Sequence, residues 1–183
     1  MINKGWFKSG QSNYPIDEGN KPISLIDLFF SDFIKDRLSN GLVVFEFGTG
    51  NSTLFFAERV TRVVAVEHNK EWYEKIKKQI PNNVILSHIS LKEYPNSVRH
   101  FKNLDIIIVD GEKRIDCIYN SVDALSSSGV LILDDSERKE YKKGIDHLIN
   151  AGFKALNFWG IAPGTFFNKC TTIFYRKDNC LDI

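Results

Sequence analysis

The strongest constraint on this chain is a repeated pattern of short apolar runs that end in, or run into, an acidic residue. Val43-Val-Phe-Glu-Phe47, Arg62-Val-Val-Ala-Val-Glu67, Asp105-Ile-Ile-Ile-Val109 followed by Asp110, and Val130-Leu-Ile-Leu133 followed by Asp134-Asp135 share it. Runs this short and continuously apolar read as strands buried on both faces. Between them the apolar residues fall at helical spacing: Ile26, Phe29, Phe30, Phe33, Ile34 and Leu38, then Trp72, Tyr73, Ile76 and Ile80, then Ile115, Ile118, Tyr119, Val122 and Leu125, and finally Tyr141, Ile145, Leu148 and Ile149. Asn83 to Ser87 reads as a further strand, and Ser126-Ser-Ser-Gly129 as a break between helix and strand. The last two strands, near Phe153 to Phe158 and Thr171 to Tyr175, are joined by a Gly/Pro loop too short for a parallel crossover, which predicts a hairpin. The expected fold is α/β and doubly wound, a mostly parallel seven-stranded sheet with a C-terminal antiparallel hairpin. Residues 1–22 lack any period and read as an irregular arm, leaving 23–183 as a single domain.

In such sheets ligands bind beyond the carboxyl ends of the strands, where the strand order reverses. Glu46, Glu67, Asp110, Asp134 and Asp135 all fall at those ends. A single acid there is an ordinary turn former, but five at equivalent positions point to a site. After the first strand the chain reads Gly48-Thr-Gly50 and then Asn51-Ser-Thr53. The glycines allow positive φ and close backbone approach, and Asn51, Ser52 or Thr53 can cap the next helix. Unpaired N–H groups at that helix start suit a polar or charged ligand. A dinucleotide is one candidate, but Thr53 stands where the usual fingerprint has a third glycine, and Glu46 would repel a pyrophosphate. A cationic ligand carrying a ribose suits the turn better, with Glu46 facing the positive charge and Glu67 accepting from the ribose hydroxyls.

Phe45-Glu-Phe-Gly-Thr-Gly50 with Glu67 ending the next strand resembles the cofactor motifs of class I S-adenosylmethionine-dependent methyltransferases. The resemblance runs from about Val43 to the C-terminus and implies a Rossmann-like methyltransferase fold. It places Glu46, Gly48, Gly50, Asn51, Ser52 and Thr53 around the methionine part of S-adenosyl-L-methionine, Glu67 at the ribose, and the turn at His88 near the adenine. Asp110-Gly-Glu-Lys113 followed by Asp134-Asp135 resembles the small metal-dependent O-methyltransferases of the catechol and caffeoyl-coenzyme A type. That likeness implies Mg²⁺ held by Asp110, Asp134 and Asp135, with Asp110 and Lys113 as catalytic residues. Asp135 departs from the pattern, which has an amide there. The alternative for Lys113 is a solvated lysine beside Glu112 and Arg114, and for Asp134-Asp135 a cap on a helix beginning near Glu137.

The acceptor class follows from what the chain lacks. A formal charge of +1 gives no general pull toward nucleic acid or anionic membrane, and Lys139, Lys142 and Lys143 read as the solvated face of a helix. The Asn/Asp-Pro-Pro-aromatic motif common in methyltransferases of nucleic-acid bases is replaced by Asp110-Gly-Glu-Lys113. A small-molecule acceptor is expected, with methyl transfer to oxygen. Trp6, Tyr14, the segment after Asp135 and the loop from Phe158 to Phe167 are the material for its pocket. Cys117, Cys170 and Cys180 show no metal-ligand spacing, and no signal peptide or membrane span is evident, so a cytoplasmic protein is expected, with homo-oligomerisation left open. The competing readings are a non-catalytic S-adenosylmethionine-binding or scaffold protein and an NAD-dependent enzyme.

Overall fold

The structure is a computed structural model that describes residues 8–9, 19, 28–163 and 167–183. Most of the irregular arm, including Trp6 and Tyr14, lies outside the described residues, as do Ile26 and positions 164–166 of the last loop. The described chain runs α1 (Leu28–Lys35), β1 (Val43–Phe47), α2 (Asn51–Ala57), β2 (Arg62–Glu67), α3 (Lys70–Ile76) and β3 (Val84–His88). A 3₁₀ segment (Tyr94–His100) leads to β4 (Leu104–Val109), α4 (Arg114–Ser121) and β5 (Leu125–Leu133), and then to α5 (Lys142–Asn150), β6 (Lys154–Gly160) and β7 (Lys169–Tyr175).

The strands form one seven-stranded sheet in the order β3-β2-β1-β4-β5-β7-β6. The pairs β1·β2, β1·β4, β2·β3 and β4·β5 are parallel, while β7 inserts antiparallel between β5 and β6. The expected doubly wound sheet with its terminal hairpin is therefore present, and strand order reverses between β1 and β4. Alternate residues of the central strands feed two cores. Val44, Ile106, Ile108, Val130 and Ile132 pack with Phe56 and Ile34 on one face. Phe45, Phe47, Ile107, Val109, Leu131 and Leu133 pack with Ile118 and Leu148 on the other. Central strands covered on both faces explain why they read as unbroken apolar runs rather than alternating ones.

Two local expectations fail. Ser126 to Gly129 belong to β5 rather than to a break, and so does Leu125, expected on the preceding helix, which ends at Ser121. The backbone there approaches β4 so closely that a Cβ on Gly129 would lie 2.7 Å from the Leu104 carbonyl oxygen, and the β4·β5 register is irregular between Leu104 and Ile106. No helix begins near Glu137: residues 134–137 form a turn, and α5 starts at Lys142 after a 3₁₀ turn at Lys139–Tyr141. Asp134 and Asp135 are thus not helix caps.

Candidate active site

The two glycines after β1 do different work. Gly48 has φ +97, and a Cβ there would meet the Asp110 carbonyl oxygen at 3.2 Å and the Gly111 Cα at 3.3 Å. Its amide donates to the Val66 carbonyl at 3.0 Å. Gly48 is therefore demanded by the packing of the β1 turn against the end of β4. Gly50 is extended, with φ 170, so the expected positive φ holds only at Gly48. A Cβ on Gly50 would meet nothing within 4 Å, which leaves its backbone facing open space at the switch point.

Gly50 is also the residue before α2, so none of Asn51, Ser52 and Thr53 is the cap itself. Thr53 Oγ1 reaches back to accept from the Gly50 amide at 3.0 Å. The same hydroxyl donates to Glu46 Oε2 at 2.5 Å, and Ser52 Oγ donates to Glu46 Oε1 at 2.5 Å. Asn51 lies buried beside them. Glu46 is 1% exposed, and burial pushes its carboxyl up to about 7 despite the two hydroxyl donors, with Glu67 adding to the rise. Both oxygens of Glu46 are already engaged by the Ser52 and Thr53 hydroxyls in the first turn of α2, so these bonds come before any contact with a cation.

Glu67 sits at the end of β2, 5% exposed. Thr49 donates its hydroxyl to Oε2 at 3.0 Å, and the Asn69 amide donates to Oε1 at 2.7 Å. His68 Nδ1 lies 3.2 Å from the same Oε1. The Trp72 indole donates to the Thr49 carbonyl at 2.7 Å, so the glycine turn is clamped to the end of β2 from both sides. His88 is exposed, its Nε2 lies 3.1 Å from the His68 carbonyl, and its ring packs 5.6 Å from Tyr73.

Tyr94 lies between these groups and β4. It is fully buried, with its ring 5.5 Å from Phe47 and 5.8 Å from His68. Its hydroxyl has no hydrogen-bond partner among the described residues. A Cβ on Gly111 would stand 2.0 Å from that oxygen, so the phenol presses directly on the Gly111 backbone. Burial raises its pKa far beyond the ordinary phenol range, as do nearby Cys117, Glu67, Glu46 and Asp110, so it stays neutral. A buried orphan hydroxyl costs stability and calls for an explanation, and a ligand that bonds to it is one.

The three aspartates do come together, but around cations that the chain itself supplies. Lys169, at the start of β7 and 6% exposed, donates to Asp134 Oδ2 and lies 2.7 Å from Asp135 Oδ1. Thr171 donates to Asp134 Oδ1 at 2.6 Å. Arg114 lies 3.1 Å from Asp110 Oδ1 and 3.5 Å from Asp135 Oδ2, and it donates to the carbonyls of Gly111 and Asp134 at 2.9 and 2.5 Å. Arg138 lies 2.6 Å from Asp135 Oδ2. Burial pushes Asp110 well above the usual carboxylate range, with Asp134 adding to it and Arg114 and Lys169 opposing. Burial also lifts Asp135, but Lys169, Arg114 and Arg138 outweigh it and hold that carboxyl below its ordinary value. Lys113 is exposed, left-handed at φ 50, and forms no ion pair with these acids among the described residues. Its expected place beside them is taken by Lys169 and Arg114.

The donor set does not fit a divalent cation. A Mg²⁺ or Mn²⁺ site needs carboxylate oxygens free to coordinate. Here both oxygens of Asp134 and both of Asp135 are already engaged by Lys169, Arg114, Arg138 or Thr171, and no group of three acidic, histidine or cysteine residues among those described has a metal-binding arrangement.

No family model matches the chain, and no curated protein matches it. Solved structures do. Precorrin-6y C5,15-methyltransferase from Geobacter metallireducens superimposes with a TM-score of 0.67 at 17% identity, covering 90% of this chain and 98% of that one. The fold is the Rossmann-like methyltransferase fold. An rRNA methylase from Streptococcus thermophilus matches with a TM-score of 0.62 at 15% identity over 81% of this chain and 95% of its own. A candidate caffeoyl-CoA O-methyltransferase from Staphylococcus aureus matches with a TM-score of 0.64 at 18% identity over 84% and 86%. Three such different acceptors on one methyltransferase fold mean that the fold leaves the acceptor open.

The sequence did not single out Thr49, Tyr94, Lys169 or Thr171. Lys169 and Thr171 reach the site only because β7 inserts beside β5, a pairing distant in sequence. Tyr94 had no periodic signal, since it lies in a 3₁₀ segment.

Proposed function

We propose that the protein is a methyltransferase that binds S-adenosyl-L-methionine over the glycine turn and methylates an oxygen of a small-molecule acceptor. The observation that carries the reading is the cradle itself: open backbone at Gly50 and the Glu67 carboxylate at the end of β2, with the unpartnered Tyr94 hydroxyl buried behind them against Gly111. When bound, S-adenosylmethionine supplies an electrophilic methyl group, and the carbon–sulfur electron pair leaves with sulfur as the acceptor oxygen bonds to carbon. Glu67 has lone pairs left for the ribose hydroxyls after serving Thr49 and Asn69. Glu46 acts beneath the turn by holding the Ser52 and Thr53 hydroxyls rather than by direct contact. His88, tied to the His68 carbonyl, bounds the far end of the site near β3.

Asp110 is the base. Its Oδ1 is held by Arg114, whereas Oδ2 has no partner among the described residues and takes the proton that the acceptor oxygen loses. A carboxyl held above its usual range is a better proton acceptor near neutrality than an ordinary aspartate. A near-neutral chain of +1 favours a small acceptor over nucleic acid. Three cysteines that stay free thiols favour a reducing compartment, and we place the protein in the cytoplasm.

Calorimetric titration with S-adenosylhomocysteine, with NAD as the control ligand, tests the reading. Binding of the homocysteine compound alone is expected. Absence of binding in folded, ligand-free protein would overturn it, and binding without turnover across a broad acceptor panel would leave the non-catalytic reading in its place.

A further inference from the structure

The three aspartates that the resemblance assigns to Mg²⁺ are surrounded by three cationic side chains. Lys169 bridges Asp134 and Asp135, Arg114 bridges Asp110 and Asp135, and Arg138 closes Asp135 from outside. Asp110, Asp134 and Asp135 against Lys169, Arg114 and Arg138 sum to a formal charge of zero. Five of the six carboxylate oxygens accept from, or pair with, these cations or Thr171; Asp110 Oδ2 is the exception. Lys169 is 6% exposed and Arg114 is anchored by three backbone carbonyls, so neither cation is a mobile surface group that swings aside at little cost.

We infer that the Lys169 ammonium and the Arg114 guanidinium stand in for the divalent cation, making this a metal-free methyl-transfer site. The inference rests on the methyl-transfer reading for the word transfer, but its charge argument concerns only these side chains. A buried lysine between two carboxylates supplies the positive charge that a metal would supply. It does so at a fixed position set by β7, with no loading step. Arg114 does the same for Asp110 Oδ1, leaving Oδ2 alone without a partner among the described residues and available as base. A divalent ion entering this cluster would have to displace an ammonium from two carboxylates and would then face an uncompensated excess of positive charge.

The test reads metal alone, without cofactor or acceptor. Mn²⁺ titrated into the wild-type protein and followed by the loss of the free-ion electron paramagnetic resonance signal should show no site tighter than about 1 mM, the weak end of oxygen-ligand cation sites. Lys169→Ala, which leaves Asp134 and Asp135 uncompensated, should gain Mn²⁺ affinity by at least tenfold, while Lys169→Arg should not. A wild-type Mn²⁺ site in the micromolar range that Asp134→Asn removes would overturn the inference. If Lys169→Ala does not fold, the wild-type titration decides alone, because a tight site there and a metal-free cluster exclude each other. Titration of S-adenosylhomocysteine with chelator and with Mg²⁺ is run beside it. Equal affinity in both supports the inference, and failure to bind in either overturns the cofactor reading without touching the Mn²⁺ result.

Discussion

Thr53 donates its hydroxyl to Glu46 Oε2 at 2.5 Å while accepting the Gly50 amide at 3.0 Å. One side chain thus ties the acid of β1 to the first turn of α2 and holds the glycine turn that runs between them. Glu46 keeps this position although burial raises its carboxyl from 4.5 to about 7. A carboxyl whose folded value lies above its unfolded value stabilises the fold fully below the unfolded value. That contribution is lost as pH rises through the folded one. Glu46 therefore costs stability progressively between 4.5 and about 7, on the order of 3 kcal/mol over the window, and nothing further above it. Urea unfolding of wild type and Glu46→Gln at a series of pH values checks this. The wild-type stability relative to the variant should fall from pH 4.5 to pH 7 and then level off. A difference independent of pH would show that Glu46 titrates as an ordinary carboxylate.

The glycines separate folding from binding. Gly48→Ala forces a side chain into φ +97 and against the Asp110 carbonyl, so it should lose about 1–3 kcal/mol of stability. Gly50→Val adds atoms only to open space at an extended φ, so its melting temperature should stay close to wild type. Its affinity for S-adenosylhomocysteine should fall by an order of magnitude or more, since the side chain would fill the cradle. Thermal melts and calorimetry on the two variants read both effects. Equal affinity in Gly50→Val and wild type would place the nucleotide elsewhere.

Tyr94→Phe removes a hydroxyl that has no partner among the described residues. An unsatisfied buried hydroxyl destabilises, so the ligand-free variant should be more stable than wild type by about 1 kcal/mol. If the hydroxyl bonds to bound cofactor, the same variant should bind S-adenosylhomocysteine several-fold more weakly. Opposite signs for stability and affinity are the signature of a group kept for a ligand. A variant that is both less stable and equally tight-binding would mark Tyr94 as a packing residue only.

The sheet was legible because its strands carry their own signal: Ile106 to Val109 and Val130 to Leu133 are apolar on both faces, and only a central parallel strand requires that. Glu46 and Glu67 were legible for the same reason, as polar interruptions at the ends of apolar runs. The partners of the aspartates were not. Lys169 reads in sequence as one charged residue in a loop-flanking segment, and only the insertion of β7 beside β5 brings its ammonium to Asp134, a separation of 35 residues. Lys113 was singled out by the resemblance to the metal-dependent O-methyltransferases, but its left-handed backbone and exposed side chain leave Arg114, one residue on, to face the acids. Backbone conformation at a turn, which local sequence specifies weakly, decided which of two adjacent cations entered the site.

Asp110→Asn tests the assignment of the base. The amide preserves shape and keeps an oxygen for Arg114, so the fold and the affinity for S-adenosylhomocysteine should change little. Turnover on an acceptor found by screening should drop by roughly 10²–10⁴-fold, the usual contribution of a positioned general base. Because burial and Asp134 hold the Asp110 carboxyl above the ordinary range, the acid limb of the wild-type kcat/KM profile should lie above the pH at which a surface aspartate titrates. Arg114→Lys, which weakens the hold on Oδ1 without removing the charge, should lower kcat more than it raises KM, since it misplaces the base without altering the cradle at Gly50. An Asp110→Asn variant that turns over at the wild-type rate would remove this residue from the chemistry and leave the proton to solvent.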